Sequence, residues 1–519
     1  MSVVHRVFSN LYQDSVSLMQ ISASINKLPG IEQASVVMGS KTNLAQLADA
    51  GLSGDFTAGP NDLIIAVKGE AEACEQAMAL AKEKLNSKPA DSSESGVAKV
   101  PLTSLAMAKD NVAEANLALI SVPGDYAAAE ALKALQLGMN VMLFSDNVSL
   151  EQEKAVKTLA REKDLIVMGP DCGTAIVNGI PLGFANVVRR GAIGVVGASG
   201  TGLQEVTCRV DQLGAGISQA LGTGGHDLHE EIGGISMLQG LQMLASDEET
   251  QVIVLISKPP AQSVAERILE QAQQSAKPVV VNFLGATQES VARTGVMAAR
   301  TLAEAAEMAV DLLNKIPVAH AAQSLCADER QMLEQECRKL TGSRQALRGV
   351  FAGGTFCYEG QLICQQHGIN ASSNTPVKGN LPLEDLWHSH GHTLIDMGDD
   401  DFTRGRPHPM IDPTLRNQRI IHEIKDPATA VVLFDLVLGY GAAAEPASDL
   451  LAALAETSRD SGPVLVAHVC GTDADPQHRT QQIKVLRDHG VLVASCNAQA
   501  TQWAATVVEI QAQIQGKQA

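Results

Sequence analysis

A chain of 519 residues exceeds what one hydrophobic core organises, so about three or four domains are expected. Its net charge of −19 is spread along the chain without a basic block, which argues against nucleic acid and anionic membrane surfaces as partners. No long apolar span or signal peptide is evident, so a cytoplasmic location is expected, and nine scattered cysteines without a Cys-x-x-Cys pair read as free thiols.

Aromatic residues are only 3% of the chain, so close packing falls to Ala, Val, Leu and Gly, as in buried parallel sheets. Residues 1–100 show strand patterns at 3–8, 34–38 and 62–67 and helical patterns at 14–28 and 70–85, which suits a small ferredoxin-like α/β domain. Residues 88–96, polar and small, read as a linker. Residues 101–190 alternate strands at 117–122, 140–144 and 165–168 with helices at 126–137 and 150–162. Ligands of such sheets bind outside the carboxyl ends of the strands. Pro123, Gly124, Ser145, Asn147 and Pro170 stand there. The glycine fingerprint of dinucleotide-binding folds is absent, which disfavours NAD.

The segment 191–320 opens on Gly-Ala-Ile-Gly-Val-Val-Gly-Ala-Ser-Gly-Thr-Gly, an apolar strand feeding a small-residue turn and then a helix. Backbone N–H groups at such a turn, backed by the positive end of a helix dipole, make an anion site; a tight turn with no ligand is the alternative. Ser199, Gly200, Thr201 and Gly202 are its candidate phosphate or acyl-phosphate ligands. Strand 216–220 runs into Gly222-Thr-Gly-Gly-His-Asp, where His226 is either a catalytic residue or a solvated loop histidine. Strands at 252–256 and 278–283 follow.

A charged helix at 328–339 joins this half to a second one of the same plan, 346–519. Its turn, Gly353-Gly354-Thr355, repeats the first, and in both a Glu follows the Thr by four residues (Thr201/Glu205, Thr355/Glu359). Gly353, Gly354 and Thr355 are therefore the second set of anion ligands, in a site assembled between two halves. Later strands at 393–396, 430–435, 464–469 and 491–495 complete the half, with Cys-Gly-Thr-Asp (470–473) closing one of them. The loop 398–412 crowds Asp399, Asp400 and Asp401 beside Arg404, Arg406 and His408. Three adjacent carboxyls do not all ionise without neighbouring cations, so this is either a self-neutralising loop or an oxyanion-binding, catalytic one (Asp400, Arg404, Arg406, His408). The acids match no standard metal cage, and no metal is expected.

Several stretches support a comparison. Gly169-Pro-Asp-Cys-Gly, Gly194-Val-Val-Gly-Ala-Ser-Gly-Thr, Gly222-Thr-Gly-Gly-His-Asp and Ile256-Ser-Lys-Pro-Pro resemble runs of succinyl-CoA synthetase α subunits, and Phe351-Ala-Gly-Gly-Thr with Ile395-Asp-Met-Gly-Asp-Asp resembles the β-subunit ligase domain. As a whole, Gly398-Asp-Asp-Asp-Phe-Thr-Arg-Gly-Arg-Pro-His-Pro-Met-Ile-Asp-Pro and Met142-Leu-Phe-Ser-Asp-Asn resemble the FdrA family of acyl-CoA-synthetase-like proteins. The resemblance implies tandem Rossmann-like and flavodoxin-like parallel-sheet domains: a CoA-binding-like domain at 101–190, an α-type ligase domain at 191–320 and a β-type one at 346–519. It also implies a heteromeric complex with two further subunits, alongside a homodimer, and CoA at Pro123, Gly124, Ser145, Asn147 and Pro170. One departure matters. Where the α subunit carries a phosphorylated histidine this chain reads Ala292-Arg-Thr-Gly-Val-Met-Ala, and no ATP-grasp domain fits in residues 1–110. The resemblance then implies a phosphate-dependent carbamoyl or acyl transferase of the oxamate carbamoyltransferase type, with phosphate or carbamoyl phosphate as ligand. A CoA-dependent acyl transferase and a non-catalytic scaffold are the alternatives.

Overall fold

The computed structural model describes residues 2–86, 102–318, 325–341, 343–404, 406–455 and 462–516; the expected linker at 88–96 lies outside them. The chain forms two compact units, one of residues 1–172 with 402–411, the other of 173–401 with 412–519. No helix among the described residues is long and apolar enough to cross a membrane.

The first unit begins with β1 (Ser2–Phe8), α1 (Ser15–Asn26), β2 (Ile31–Met38), α2 (Lys41–Asp49), β3 (Leu63–Gly69) and α3 (Ala71–Asn86). Strand β3 lies between β1 and β2, antiparallel to both, which is the split β-α-β arrangement of ferredoxin-like folds. Leu63–Val67 are buried without alternation because both faces of β3 are covered, one by Leu18, Ile25 and Ala77, the other by Leu47 and Leu52. Asp14 starts α1 by accepting the Ser17 amide at 2.9 Å.

A second domain of this unit contains α4 (Leu105–Asn111), β4 (Leu117–Ile120), α5 (Gly124–Gln136), β5 (Asn140–Leu143), α6 (Leu150–Glu162) and β6 (Val167–Met168). Its three strands are parallel in the order β4-β5-β6. The loops at their carboxyl ends are packed on one another. The Ser145 hydroxyl donates to the Val122 carbonyl, and the Asp171 amide donates to Ser145 O at 3.0 Å. A Cβ on Gly124 would lie 2.2 Å from the Asp146 carbonyl, so only glycine starts α5 here.

The second unit opens with a hairpin of β7 (Thr174–Val177) and β8 (Ile180–Gly183), turned on Asn178-Gly179 with φ of 50° and 79°. It continues through β9 (Arg190–Gly197), α7 (Gly200–Gln212), β10 (Ile217–Gly222), α8 (Ile235–Ser246), β11 (Val252–Ser257), α9 (Gln262–Gln273), β12 (Val279–Phe283), α10 (Gln288–Val291), β13 (Val296–Ala298) and α11 (Leu302–Leu313). The sheet runs β13-β12-β11-β9-β10-β7-β8, parallel except at the hairpin. The hairpin lies within 101–190 of the sequence, yet it pairs with β10 of this sheet.

Helix α12 (Ala327–Cys337) is the expected charged connector. After it come β14 (Ala346–Phe351), α13 (Gly354–Gln366), β15 (Ser372–Ser373), β16 (Leu381–Pro382), β17 (Thr393–Asp396), α14 (Asp400–Thr403), α15 (Thr414–Lys425), β18 (Thr429–Val437), α16 (Pro446–Leu454), β19 (Val464–Cys470), α17 (Arg479–Asp488), β20 (Leu492–Ala494) and α18 (Asn497–Gly516). This sheet is parallel throughout, in the order β16-β15-β17-β14-β18-β19-β20. All nine residues of β18 are buried, as a central strand covered on both faces requires. The fold is thus mixed α/β with tandem parallel-sheet domains and a small N-terminal domain.

In each sheet of the second unit, the strand that feeds a Gly-Thr turn is flanked by later strands on both sides. Strand β9 lies between β10 and β11, and β14 between β17 and β18. Both turns therefore sit at the topological switch points where open α/β sheets bind ligands.

Candidate active site at two facing helix starts

The two turns abut. The Ser199 hydroxyl, N-cap of α7, is hydrogen-bonded to the Thr355 hydroxyl in the first turn of α13. A Cβ on Gly353 would lie 3.1 Å from the Thr201 methyl carbon, so Gly353 lets the two starts approach. An α-helix leaves its first amides without intrahelical partners. Here the Gly202 amide donates to Ser199 Oγ at 2.9 Å, and the Leu203 amide to Ser199 O at 3.0 Å. On the other side the Ala352 and Gly353 amides donate to the Asp435 carboxylate at 2.7 and 2.8 Å. The amides of Gly200, Thr201, Gly354 and Thr355 have no acceptor among the described residues. Of the seven residues expected to hold an anion, Gly202 and Gly353 have thus spent their amides internally. Gly200 is exposed and Thr201 and Gly354 partly so, leaving the pair of starts open to solvent.

Sequence reasoning did not single out the side chains around this junction. Asp396 ends β17, and a Cβ on Gly354 would lie 2.4 Å from its Oδ2. Burial pushes its carboxyl up to about 7 against the pull of Lys258. Asp435, in β18, is also raised by burial, with Arg416 drawing it down. Lys258, just past β11, has its Nζ 5.7 Å from the centroid of the Tyr358 ring on α13. Two positive helix ends that face each other repel, and the carboxyls of Asp396 and Asp435 offset that repulsion. An acid at the carboxyl end of a strand beside the Gly-rich turn was the available signal.

The repeated Glu of the two helices has a structural role. Glu205 reaches into the second half, where His468 Nε2 on β19 lies 2.6 Å from its carboxylate and the Asn497 amide at the start of α18 lies 3.4 Å away. Glu359 reaches into the first half and accepts the Leu302 amide at the start of α11 at 2.9 Å, with Asn497 Nδ2 donating at 2.8 Å. Each Glu therefore accepts from the first amide of the other half's last helix, which explains the shared spacing. The pair is electrically unequal. Burial alone would lower His468 and raise Glu205, but their mutual contact, with Cys470 adding to it, lifts the imidazole to about 9, and the contact holds Glu205 below the usual carboxylate range. Glu359, buried without a cation, is pushed up to about 7.

Pro123, Gly124, Ser145, Asn147 and Pro170 are brought together at the carboxyl ends of β4, β5 and β6. His226 is exposed and stacks obliquely on His229 at 5.2 Å, in a loop tied down by its neighbour: buried Asp227 accepts the Ser236 and Met237 amides at 3.1 and 2.9 Å and so caps α8. That loop is built to start a helix. The acidic-basic loop is divided between the units, with Asp400 in the second and Arg404, Arg406 and His408 in the first. Arg406 donates to Gln33 Oε1 on β2 at 3.3 Å, and burial pushes the His408 imidazole down to about 4, so it is neutral near pH 7.

Parts of the chain are similar to known families. Residues 350–507 match the CoA-ligase family model, residues 188–285 the CoA binding domain, and residues 1–101 the model described as AllF, heavy metal-associated domain. The CoA-binding match lies outside the β4–β6 loops. The one cysteine of residues 1–101, Cys74, is buried in the core with Leu18 and Ala77, so this domain does not fit a thiolate metal centre. The fold and matches define a protein with CoA-ligase and CoA-binding domains of the succinyl-CoA synthetase kind. The chain belongs to the family of Uncharacterized protein YahF of Escherichia coli (strain K12), to which it is 44% identical over 508 residues, covering 95% of this chain and 96% of that one. It is 31% identical over 194 residues to the succinate–CoA ligase [ADP-forming] subunit alpha-2 of Trichomonas vaginalis, across 35% of this chain and 60% of that one. It also aligns, at 11% identity and a TM-score of 0.36, over 80% of its length with 85% of the ATP citrate lyase chain from Methanothrix soehngenii.

Proposed function

We propose that this chain is an FdrA-type subunit of a phosphate-dependent carbamoyl or acyl transferase, acting without a phosphohistidine and without a nucleotide. One observation carries the reading: the amides of Gly200, Thr201, Gly354 and Thr355 have no partner among the described residues and stand at two abutting, solvent-accessible helix starts. Such donors bind a tetrahedral oxyanion and stabilise charge that develops on it. The stretch Ala292–Ala298 holds no histidine to occupy them. With oxalurate as donor, a phosphate oxygen attacks the carbamoyl carbon, the bond to the oxamate nitrogen breaks, and that nitrogen takes a proton. Asp396, beside Gly354 and still partly protonated near pH 7, is a candidate donor.

The second reading is a CoA-dependent acyl transferase, favoured by the CoA-ligase and CoA-binding matches. The test is a reconstitution of the full chain with its co-expressed partner subunits, supplied with oxalurate and either phosphate or CoA. Carbamoyl phosphate formed only when phosphate is present supports the first reading. Turnover of acyl-CoA without phosphate replaces it with the second, and no turnover with either leaves a non-catalytic scaffold.

A further inference from the structure

A separate cavity of about 950 Å³ lies in the second unit, lined among others by Arg189, Arg209, Thr472, Arg479, Arg487 and Trp503. It opens beyond the carboxyl ends of β19 and β20, the position where parallel sheets take ligands. It also adjoins the C-terminal end of α7, whose N-terminal end forms the helix start described above; a helix of this length separates the two by roughly 18 Å. Four arginines line the cavity against two aspartates, in a chain of net charge −19.

The arginines are not equivalent. Arg189 is paired with Asp211 at 2.9 Å and Arg209 with Glu307 at 2.6 Å. Arg479 and Arg487 have main-chain partners instead, Val469 O at 2.9 Å and Val493 O at 3.1 Å, and neither has a carboxylate within ion-pair distance among the described residues. Asp473, which also lines the cavity, accepts from the Thr480 amide and hydroxyl at 2.6 and 2.7 Å, and Arg479 helps hold its carboxyl below the usual range without forming an ion pair with it. Each guanidinium uses one N–H on a carbonyl and retains others, in a planar fork that matches phosphate and carboxylate groups. The volume is that of a site for a small organic molecule.

We infer that this cavity binds a multiply charged organic oxyanion, held by Arg479 and Arg487 and distinct from the anion at the twin helix starts. The shared ligand chemistry is two or more negative oxygens on one small molecule, carried by a phosphate or a polycarboxylate. The test titrates the full chain with pyrophosphate and, separately, with citrate at constant ionic strength, following calorimetry and tryptophan fluorescence. Saturable binding of at least one probe is expected, weakened tenfold or more in Arg479→Gln/Arg487→Gln. Exposed Arg487→Gln alone, which leaves the Arg479 contact intact, should weaken it severalfold. Thr201→Pro, which alters the other site, should leave the arginine-dependent component of that binding unchanged. Pyrophosphate binding without citrate binding identifies a phosphate ligand, and the reverse a carboxylate. Absence of saturable binding by both, or binding indifferent to the arginine variants, overturns the assignment.

Discussion

Replacing Glu205 by Gln keeps the shape of the side chain and removes the charge that sustains the His468 imidazolium. Both groups are buried, with side-chain exposures of 3% and 1%, and their contact is 2.6 Å. The imidazole is raised from 6.5 to about 9, which corresponds to about 3 kcal/mol favouring the folded, protonated form. Because folding raises this pKa, the contribution is complete below pH 6.5 and is lost as pH climbs through about 9. For a unit of this size, 3 kcal/mol corresponds to a fall in Tm of about 4 °C. Thermal unfolding of the wild type and Glu205→Gln at pH 6, 7.5 and 9.5 reads it directly. The variant should unfold about 4 °C lower at pH 6, and the gap should narrow by pH 9.5. A gap of the same size at every pH would refute the charged pair, since a packing defect does not titrate.

Glu359→Gln should behave oppositely despite its matching place: near-neutral at pH 4.5 and increasingly stabilising as pH rises toward about 7, because across that range the unfolded carboxyl ionises while burial keeps the folded one protonated; the same unfolding series, extended to pH 4.5, decides it. Asp396 likewise holds its proton until about 7 in the folded state, so the folded chain loses stability as pH rises from about 4 toward 7, and phosphate binding should weaken as Asp396 ionises. Asp396→Asn should flatten the pH profile of phosphate affinity and bind roughly tenfold tighter at pH 8, as measured by calorimetry. Gly124→Ala drives a methyl group to 2.2 Å from the Asp146 carbonyl; a loss of about 2–3 kcal/mol is expected in the stability of the first unit by denaturant titration, with the second unit's transition unmoved.

Local sequence carried the local features. The apolar runs and small-residue turns gave the alternation of parallel strands and helices, since strands buried on both faces must be continuously apolar. Strands β4 and β5 fall within the predicted spans, and the two Gly-Thr turns both prove to be helix starts. Interactions between distant positions were not legible. Glu205 meets His468 across 263 residues, and Glu359 meets Leu302 across 57; the sequence shows the matching spacing without the capped helices that explain it. The hairpin on Asn178-Gly179 was not among the predicted elements, and nothing local shows which sheet it joins. In the loop 398–412, Arg406 turns to Gln33, 373 residues away, a partner that its neighbours in sequence do not reveal.

The amides at the two facing helix starts, unpartnered among the described residues, are expected to bind an oxyanion. Titration of the purified full chain with phosphate and with carbamoyl phosphate, followed by phosphorus NMR, tests it most directly alongside Thr201→Pro, which deletes one of those amides while the first turn of a helix tolerates proline. Saturable binding by the wild type, reduced at least tenfold in Thr201→Pro and in Gly354→Ala, is the predicted result. Binding of equal strength in all three proteins, or none in the wild type, would contradict it.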